Sequence, residues 1–461
     1  MFRTFIEKHA YKIIFGVAIV GILCSLFLGA INGQIEKIEF SDYRTDAEIY
    51  NMMALSLIGT GSPYDSNGNY YGSLRAPGYP YFLSFAYSLY RSPVSAWVLQ
   101  VVFFILSIFL MWGIAKHFLK GSNALLPPLI FSLSWFVCSF VIRLNSDFLG
   151  MFWVLLGTWS LLEYVLGQKQ RTRHNFFSVH TLLALSAVSF ALAALARPVM
   201  LYFIVFLGIY ICVVNWRHAF FYSTLFLITV VPPIALNYYL FGAPVLSDSG
   251  VVIAMRGRVL LLEDERLRAF MIASVFGDLV ADQYLQGYKD NPEPYPAISA
   301  VAKERTIMRD SGIPFQKMNS QFLTEGLDLF RAHPIKFFIT GIFNFIHLHN
   351  PPNHDGVLMT HFLAEKETIS LPVRILLNVA VRIVWFLSLA VVLWGAVVCV
   401  HDKNTRLISS LLLIVMMYTV AMHAFLSHAE FRFLLPAIPF YILFFIVGGN
   451  ELARRFTRKC S

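Results

Sequence analysis

A few charged residues stand out because the chain around them is so apolar. Asp42-Tyr-Arg-Thr-Asp46-Ala-Glu48-Ile-Tyr50 runs directly into Asn51-Met-Met-Ala-Leu-Ser-Leu-Ile58. Ser73-Leu-Arg75-Ala-Pro77-Gly-Tyr79-Pro80 follows, and Arg143-Leu-Asn145-Ser-Asp147 lies in a turn between two apolar runs. Arg197, in Ala196-Arg197-Pro198, and Arg432, in His428-Ala-Glu430-Phe-Arg432, occupy two further turns. A carboxylate beside an apolar helix at a membrane surface is partly desolvated, as a general base requires. An arginine there can hold a phosphate through two parallel N–H bonds. Each residue also has a plainer reading. Asp46 can cap the helix that it opens, Arg75 can snorkel to lipid headgroups, and Asp147 can be an ordinary loop acid.

Composition decides where these residues must act. The chain has 461 residues, of which 57% are hydrophobic and 14% charged. Soluble domains carry about 25% charged residues, so a soluble enzyme, a disordered chain and a secreted disulfide scaffold are excluded. The net charge of +9 would suggest nucleic acid on a soluble protein. In a membrane protein it follows from the excess of Lys and Arg on the inner side, and no nucleic-acid partner is expected.

A spanning helix needs about 20 mostly apolar residues. Ten runs qualify: Ile13–Ile31, Val94–Lys116, Ala124–Ile142, Phe148–Leu166, Val179–Leu195, Val199–Val214, Ala219–Phe241, Arg374–Val400, Leu407–Leu426 and Phe433–Leu452. With both termini inside, the inner loops hold about fifteen Lys and Arg against about two acids, and every short one is basic. Gly78–Tyr90 and Ile335–Leu348 are too short to span and read as helices at the outer interface. The expected organisation is an N-terminal transmembrane module over 1–241, whose first outer loop (32–91) carries Asp46. An outer cap over 242–372, mostly helical, includes the second interfacial helix. C-terminal transmembrane helices fill 373–461. The expected fold class is an all-α integral membrane protein with about ten spans, and its bilayer is a partner throughout.

All the singled-out charges then fall on one face, with Asp46, Glu48 and Asp147 facing Arg75, Arg197 and Arg432. A lipid-linked anion with a polar head fits such a face. The five cysteines are Cys24, Cys138, Cys212, Cys399 and Cys460, with none on the outer side and no zinc-type spacing. The absence of any N-x-S/T sequon leans toward a bacterial inner membrane. His347, His349 and His354 have metal-like density, although histidines at an interface are more often bonded to backbone. The residues name no definite cofactor, and a divalent cation is the one candidate.

At these residues the sequence resembles a known group. Asp46-Ala-Glu48-Ile-Tyr50-Asn-Met-Met-Ala54 is similar to its D-E-x-x-Y-x-x-x-A signature, with the acidic pair split by Ala47. Leu74-Arg75-Ala-Pro77-Gly-Tyr79-Pro80 resembles its R/K-x-P-x-Y-P element, and Asn145-Ser-Asp147 its second acidic motif. Ala196-Arg197-Pro198 and Glu430-Phe-Arg432-Phe-Leu-Leu-Pro436 resemble its R-P and E-x-R-Y-x-x-P elements, with Phe433 where Tyr is common. The group is the GT-C glycosyltransferases related to protein O-mannosyltransferases and lipid A aminoarabinose transferases.

The resemblance implies inverting transfer of a sugar, a hexose or pentose, from a polyprenyl-phosphate donor. The acceptor would be a lipid, a surface glycan such as lipopolysaccharide, or a protein, on the periplasmic face. Asp46 matches the catalytic Asp, with Glu48 and Asp147 beside it. Arg75, Tyr79, Arg197, Glu430 and Arg432 are the implied substrate and phosphate contacts. Two other classes remain open. An oligosaccharide polymerase or ligase handles the same kind of lipid-linked sugar. A flippase or transporter would place its charges nearer mid-membrane.

Overall fold

The computed structural model describes residues 2–31, 46–64, 74–170, 176–290, 292, 295–349, 370–427 and 430–460. Their regular elements are all helices. In chain order these are α1 (Phe2–Ile31), α2 (Asp46–Thr60), α3 (Gly78–Leu89), α4 (Pro93–Ala115), α5 (Leu126–Leu133) and α6 (Trp135–Val141). Then come α7 (Ser146–Gln170), α8 (Phe176–Ala196), α9 (Phe203–Phe241), α10 (Ser249–Arg258), α11 (Asp264–Phe276) and α12 (Asp278–Tyr284). The last are α13 (Tyr295–Asp310), α14 (Phe315–Ala332), α15 (Pro334–Leu348), α16 (Leu371–His401), α17 (Arg406–Leu426) and α18 (Ile438–Cys460). Among the described residues, seven helices are long and apolar enough to cross a membrane, or eight if the bent pair α5–α6 is one span. This is an all-α integral membrane protein.

The difference from ten runs has identifiable causes. Pro198–Phe241 counts as one 44-residue stretch, but Asn215 is non-helical (φ −163°, ψ 106°). The runs expected at Val199–Val214 and Ala219–Phe241 are its two arms. The run expected at Ala124–Ile142 is broken by 56°. The break falls at Ser134, which is extended and caps α6 through Val137 N–H at 3.5 Å. The final helix starts at Ile438 rather than Phe433, because Pro436 and Pro439 lack the N–H that a helix interior uses and are tolerated only in or before its first turn. Glu451, Arg454 and Arg455 then fall within its first five turns, so it fails the apolar criterion.

The chain forms two compact units. One takes Met1–Leu236, Val391–Met416 and Leu435–Ser461, and the other takes Asn237–Ala390 and Met417–Leu434. In the first, α1 packs on α5 and α6, and α4 and α8 flank α7. Phe104, Phe131, Phe148 and Phe190 are buried in its core. Its later helices α16 and α18 cross at paired glycines. A Cβ on Gly395 would lie 1.9 Å from the Phe444 carbonyl oxygen, and one on Gly448 would lie 2.3 Å from that of Val391. Small residues allow such backbone approach where apolar solvent offers no hydrophobic drive.

In the second unit, α10 lies against α14 in the same way, with Gly250 N–H donating to Asn319 Oδ1 at 2.8 Å. Arg258 joins Glu304 at 2.5 Å and Glu325 at 2.6 Å. Fully buried Arg256 donates to Thr340 Oγ1 at 2.7 Å and to the Phe337 and Phe425 carbonyls at 3.1 and 3.2 Å. The helical pattern read in the cap sequence is realised by α10 to α14.

Gly395→Val should lower thermal stability in detergent by about 1–3 kcal/mol, the usual scale of overpacking. Gly449→Ala is the control, since nothing lies within 4 Å of its Cβ position. Equal melting temperatures for the two variants would contradict the close crossing.

Candidate active site

Four of the sequence-predicted charges meet in the first unit as two ion pairs. Asp46 is the first residue of α2, and its Oδ1 accepts from Arg75 Nη2 at 2.5 Å. Asp147 lies in the first turn of α7, and its Oδ1 accepts from Arg197 Nη1. The pairs differ in exposure. The Asp46 and Arg75 side chains are 31% and 34% exposed, whereas those of Asp147 and Arg197 are 1% and 13% exposed. Asp46 is thus partly buried, as expected beside an apolar helix, whereas Asp147 is enclosed. Both carboxylates occupy helix N-termini, where the exposed amides favour negative charge.

Local sequence places each group. α8 ends at Ala196 because Pro198 cannot continue it, which leaves Arg197 extended in the turn. Its stem lies across Gly150 of α7, where a Cβ would sit 2.8 Å from Arg197 Cγ. Asn145 Oδ1 accepts from Asp147 N–H at 3.4 Å at the start of α7. α3 opens at Gly78, where a Cβ would lie only 2.6–2.7 Å from the Leu195 and Ala196 backbone, so glycine allows the two segments to pack. That contact holds the Arg75 segment against the end of α8. Arg75 Nε is buried and has no acceptor among the described residues.

Tyr50 lies at the junction of the two pairs. Its hydroxyl is 3.1 Å from Ser146 Oγ, next to Asp147, and its ring meets Tyr79 edge to face at 5.1 Å. Burial pushes the Tyr50 hydroxyl pKa up. Arg75 pulls it down, Asp46 pushes it up, and Ser146 and Arg197 pull it down. One buried hydroxyl therefore feels both arginines and remains a protonated donor at neutral pH. Tyr79 OH in turn donates to Gln100 Oε1 of α4 at 2.9 Å. Tyr50, Ala54, Tyr79, Leu83, Leu144 and Leu149 form the apolar cluster beneath.

The other predicted residues are placed differently. Glu48 is on α2 two positions from Asp46, about 200° round the helix, and half-buried. Glu430 and Arg432 belong to the second unit, paired with each other at 2.5 Å. Tyr295, Asp278 and His347 share their electrostatic neighbourhood. His347 and His349 are both on or at the end of α15, again about 200° apart, whereas helical metal ligands fall at i, i+3 or i, i+4. His347 is pushed down to about 4 by burial and then by Arg382, against the opposing pull of Glu430. His349 Nδ1 is 2.7 Å from the Phe345 carbonyl, and burial lowers its pKa. His354 lies outside the described residues. Among those residues no group of three His, Cys, Asp or Glu could hold a metal. Sequence reasoning quoted Tyr50 and Ser146 within motifs without giving them a role, and passed over Gln100 and Gly150. Gln100, the one amide in the α4 run, was the detectable signal.

Arg197→Ala should cost about 3–5 kcal/mol of stability, since it strands a buried carboxylate. Arg75→Ala should cost at most about 1 kcal/mol, since its pair is solvated. Thermal unfolding in detergent measures both. Similar losses would contradict the difference in burial.

No family model matches the chain, and no curated protein sequence is similar to it. Solved structures give a distant likeness. The oligosaccharyltransferase AglB of Archaeoglobus fulgidus, in complex with an inhibitory peptide and a dolichol-phosphate, is 10% identical with a TM-score of 0.46. That alignment covers 97% of this chain and 51% of that one. The A. fulgidus oligosaccharyltransferase tethered with an acceptor peptide is 12% identical with a TM-score of 0.44, over 98% and 50% of the two chains. This chain spans about half the length of those enzymes. At such identity and superposition the likeness assigns neither family nor activity.

Proposed function

We propose that this protein is a membrane glycosyltransferase of the GT-C kind. It moves a sugar from a polyprenyl-phosphate donor to an acceptor on the outer face of the membrane. The observation that carries the reading is the junction at Tyr50, which shares α2 with Asp46 of the accessible Asp46–Arg75 pair and whose hydroxyl meets Ser146 beside the buried Asp147–Arg197 pair. The chemistry asks for such a site. A sugar phosphodiester departs as a phosphate monoester, which needs little protonation. It needs cations for the phosphate and a base for the acceptor.

Asp46 is assigned as the base because an acceptor can reach it, whereas Asp147 is enclosed. The acceptor oxygen or nitrogen gives its proton to Asp46 and bonds to the anomeric carbon. The bond from that carbon to the phosphate oxygen breaks, and its electron pair leaves with the phosphate. Attack from the opposite side inverts the anomeric configuration. Arg75, through its guanidinium, and Arg197 take up the charge that develops on the phosphate. Asp147 holds Arg197 in place. The reading does not depend on Glu48, which the helical period of α2 turns away from Asp46, nor on Glu430 or Arg432. Inner-membrane location and cytoplasmic termini belong to the same proposal, on the strength of the basic inner loops.

Asp46→Asn should cut transfer by about 10²–10⁴-fold, the usual contribution of a general base, with protein level in the membrane unchanged. The comparison is by mass, between surface glycolipids and glycoproteins of wild-type and variant strains, where one sugar should disappear. An unaltered glycan profile in Asp46→Asn would sink the assignment. Arg75→Ala should chiefly weaken donor binding, and a change confined to acceptor choice would contradict its phosphate role.

A further inference from the structure

The buried amide of Gln100 lies at the meeting point of the two chain segments that carry the site. It is fully buried in α4, an apolar helix long enough to span. Its Oε1 accepts from Tyr79 OH at 2.9 Å. Its Nε2 donates to the Val141 carbonyl at 2.5 Å and the Arg143 carbonyl at 3.1 Å. Tyr79 is four residues after Arg75. Val141 and Arg143 immediately precede the turn that presents Ser146 and Asp147.

The contacts close a circuit. Gln100 holds Tyr79, Tyr79 packs on Tyr50, Tyr50 meets Ser146, and the chain returns from Ser146 through Arg143 and Val141 to Gln100. Arg75 and Asp46 attach to one arc, and Asp147 with Arg197 to the other. A polar side chain in apolar surroundings is costly unless its bonds are made. Both ends of this amide are used, and each end reaches a different segment of the site.

We propose that Gln100 is a positioning residue that sets the spacing between Arg75 and Arg197, so that one donor phosphate meets both. It touches no substrate and acts through Tyr79 and the 141–147 turn. This role rests on the donor reading above. A purely structural role would move stability alone, whereas the positioning role moves affinity for the phosphate.

The test measures binding of undecaprenyl phosphate to the purified full chain in nanodiscs, alongside its melting temperature. Gln100→Glu keeps the volume but turns an acceptor toward two carbonyls. Tyr79→Phe removes one hydrogen bond and keeps the ring contact with Tyr50. Gln100→Glu should weaken binding roughly tenfold or more, and Tyr79→Phe roughly three- to tenfold, the worth of one buried hydrogen bond. If Gln100→Glu does not fold, Tyr79→Phe decides. Wild-type affinity in folded Tyr79→Phe overturns the role of Gln100, as does a variant that loses melting temperature but not affinity. If the wild type itself does not bind undecaprenyl phosphate, the donor reading falls first and this role with it.

Discussion

The bond between Asp147 and Arg197 constrains everything around it. A carboxylate with 1% exposure is stable only against a cation, because removing one partner of such a pair costs about 3–5 kcal/mol. Meeting that requirement fixes the neighbours. Arg197 must leave its helix, so Pro198 stops α8. Its stem needs room, so α7 has Gly150 where a methyl group would collide. The end of α8 is in turn held against α3 by Gly78. One buried pair thereby fixes where three helices meet, and the Arg75 segment is set down beside them.

The second pair gains its character from that placement. Asp46 and Arg75 are each about one-third exposed, so their attraction adds little to stability. They remain reachable from the surface and tied from below by Tyr50 and Tyr79. A buried pair next to a more exposed one is a physically reasonable division for the proposed glycosyl transfer with a phosphate leaving group. The first holds a cation in position before substrate arrives, and the second offers a carboxylate that can take a proton. Preorganised charge of this kind costs no reorganisation during reaction.

Much of this was legible in the sequence, and the limits have physical causes. Charges are expensive in an apolar chain, so Asp46, Arg75, Asp147 and Arg197 could be picked out by type alone. Helix type followed from long apolar runs. Pairing did not, because Asp46 and Arg75 are 29 residues apart and Asp147 and Arg197 are 50 apart, and spacing carries no information at such range. Breaks within apolar runs were also invisible. Ser134 and Asn215 are unremarkable letters whose backbone leaves the helix only in context. Glu48 shared a motif with Asp46, but helical period turns it away. Glu430 and Arg432 read as members of the same face, and the fold assigns them to the other unit. Glycines were silent in the sequence, and their meaning lies wholly in what approaches them.

The central claim is that the two arginines of the first unit act on a single phosphate. It is tested most directly by solving the structure of the purified protein in nanodiscs with undecaprenyl phosphate. The account predicts phosphate oxygens within about 2.7–3.2 Å of both the Arg75 and Arg197 guanidinium groups, with Asp46 left facing the open side. A phosphate bound away from both arginines, or held by Arg75 alone with the Asp147–Arg197 pair apart from it, would contradict the account.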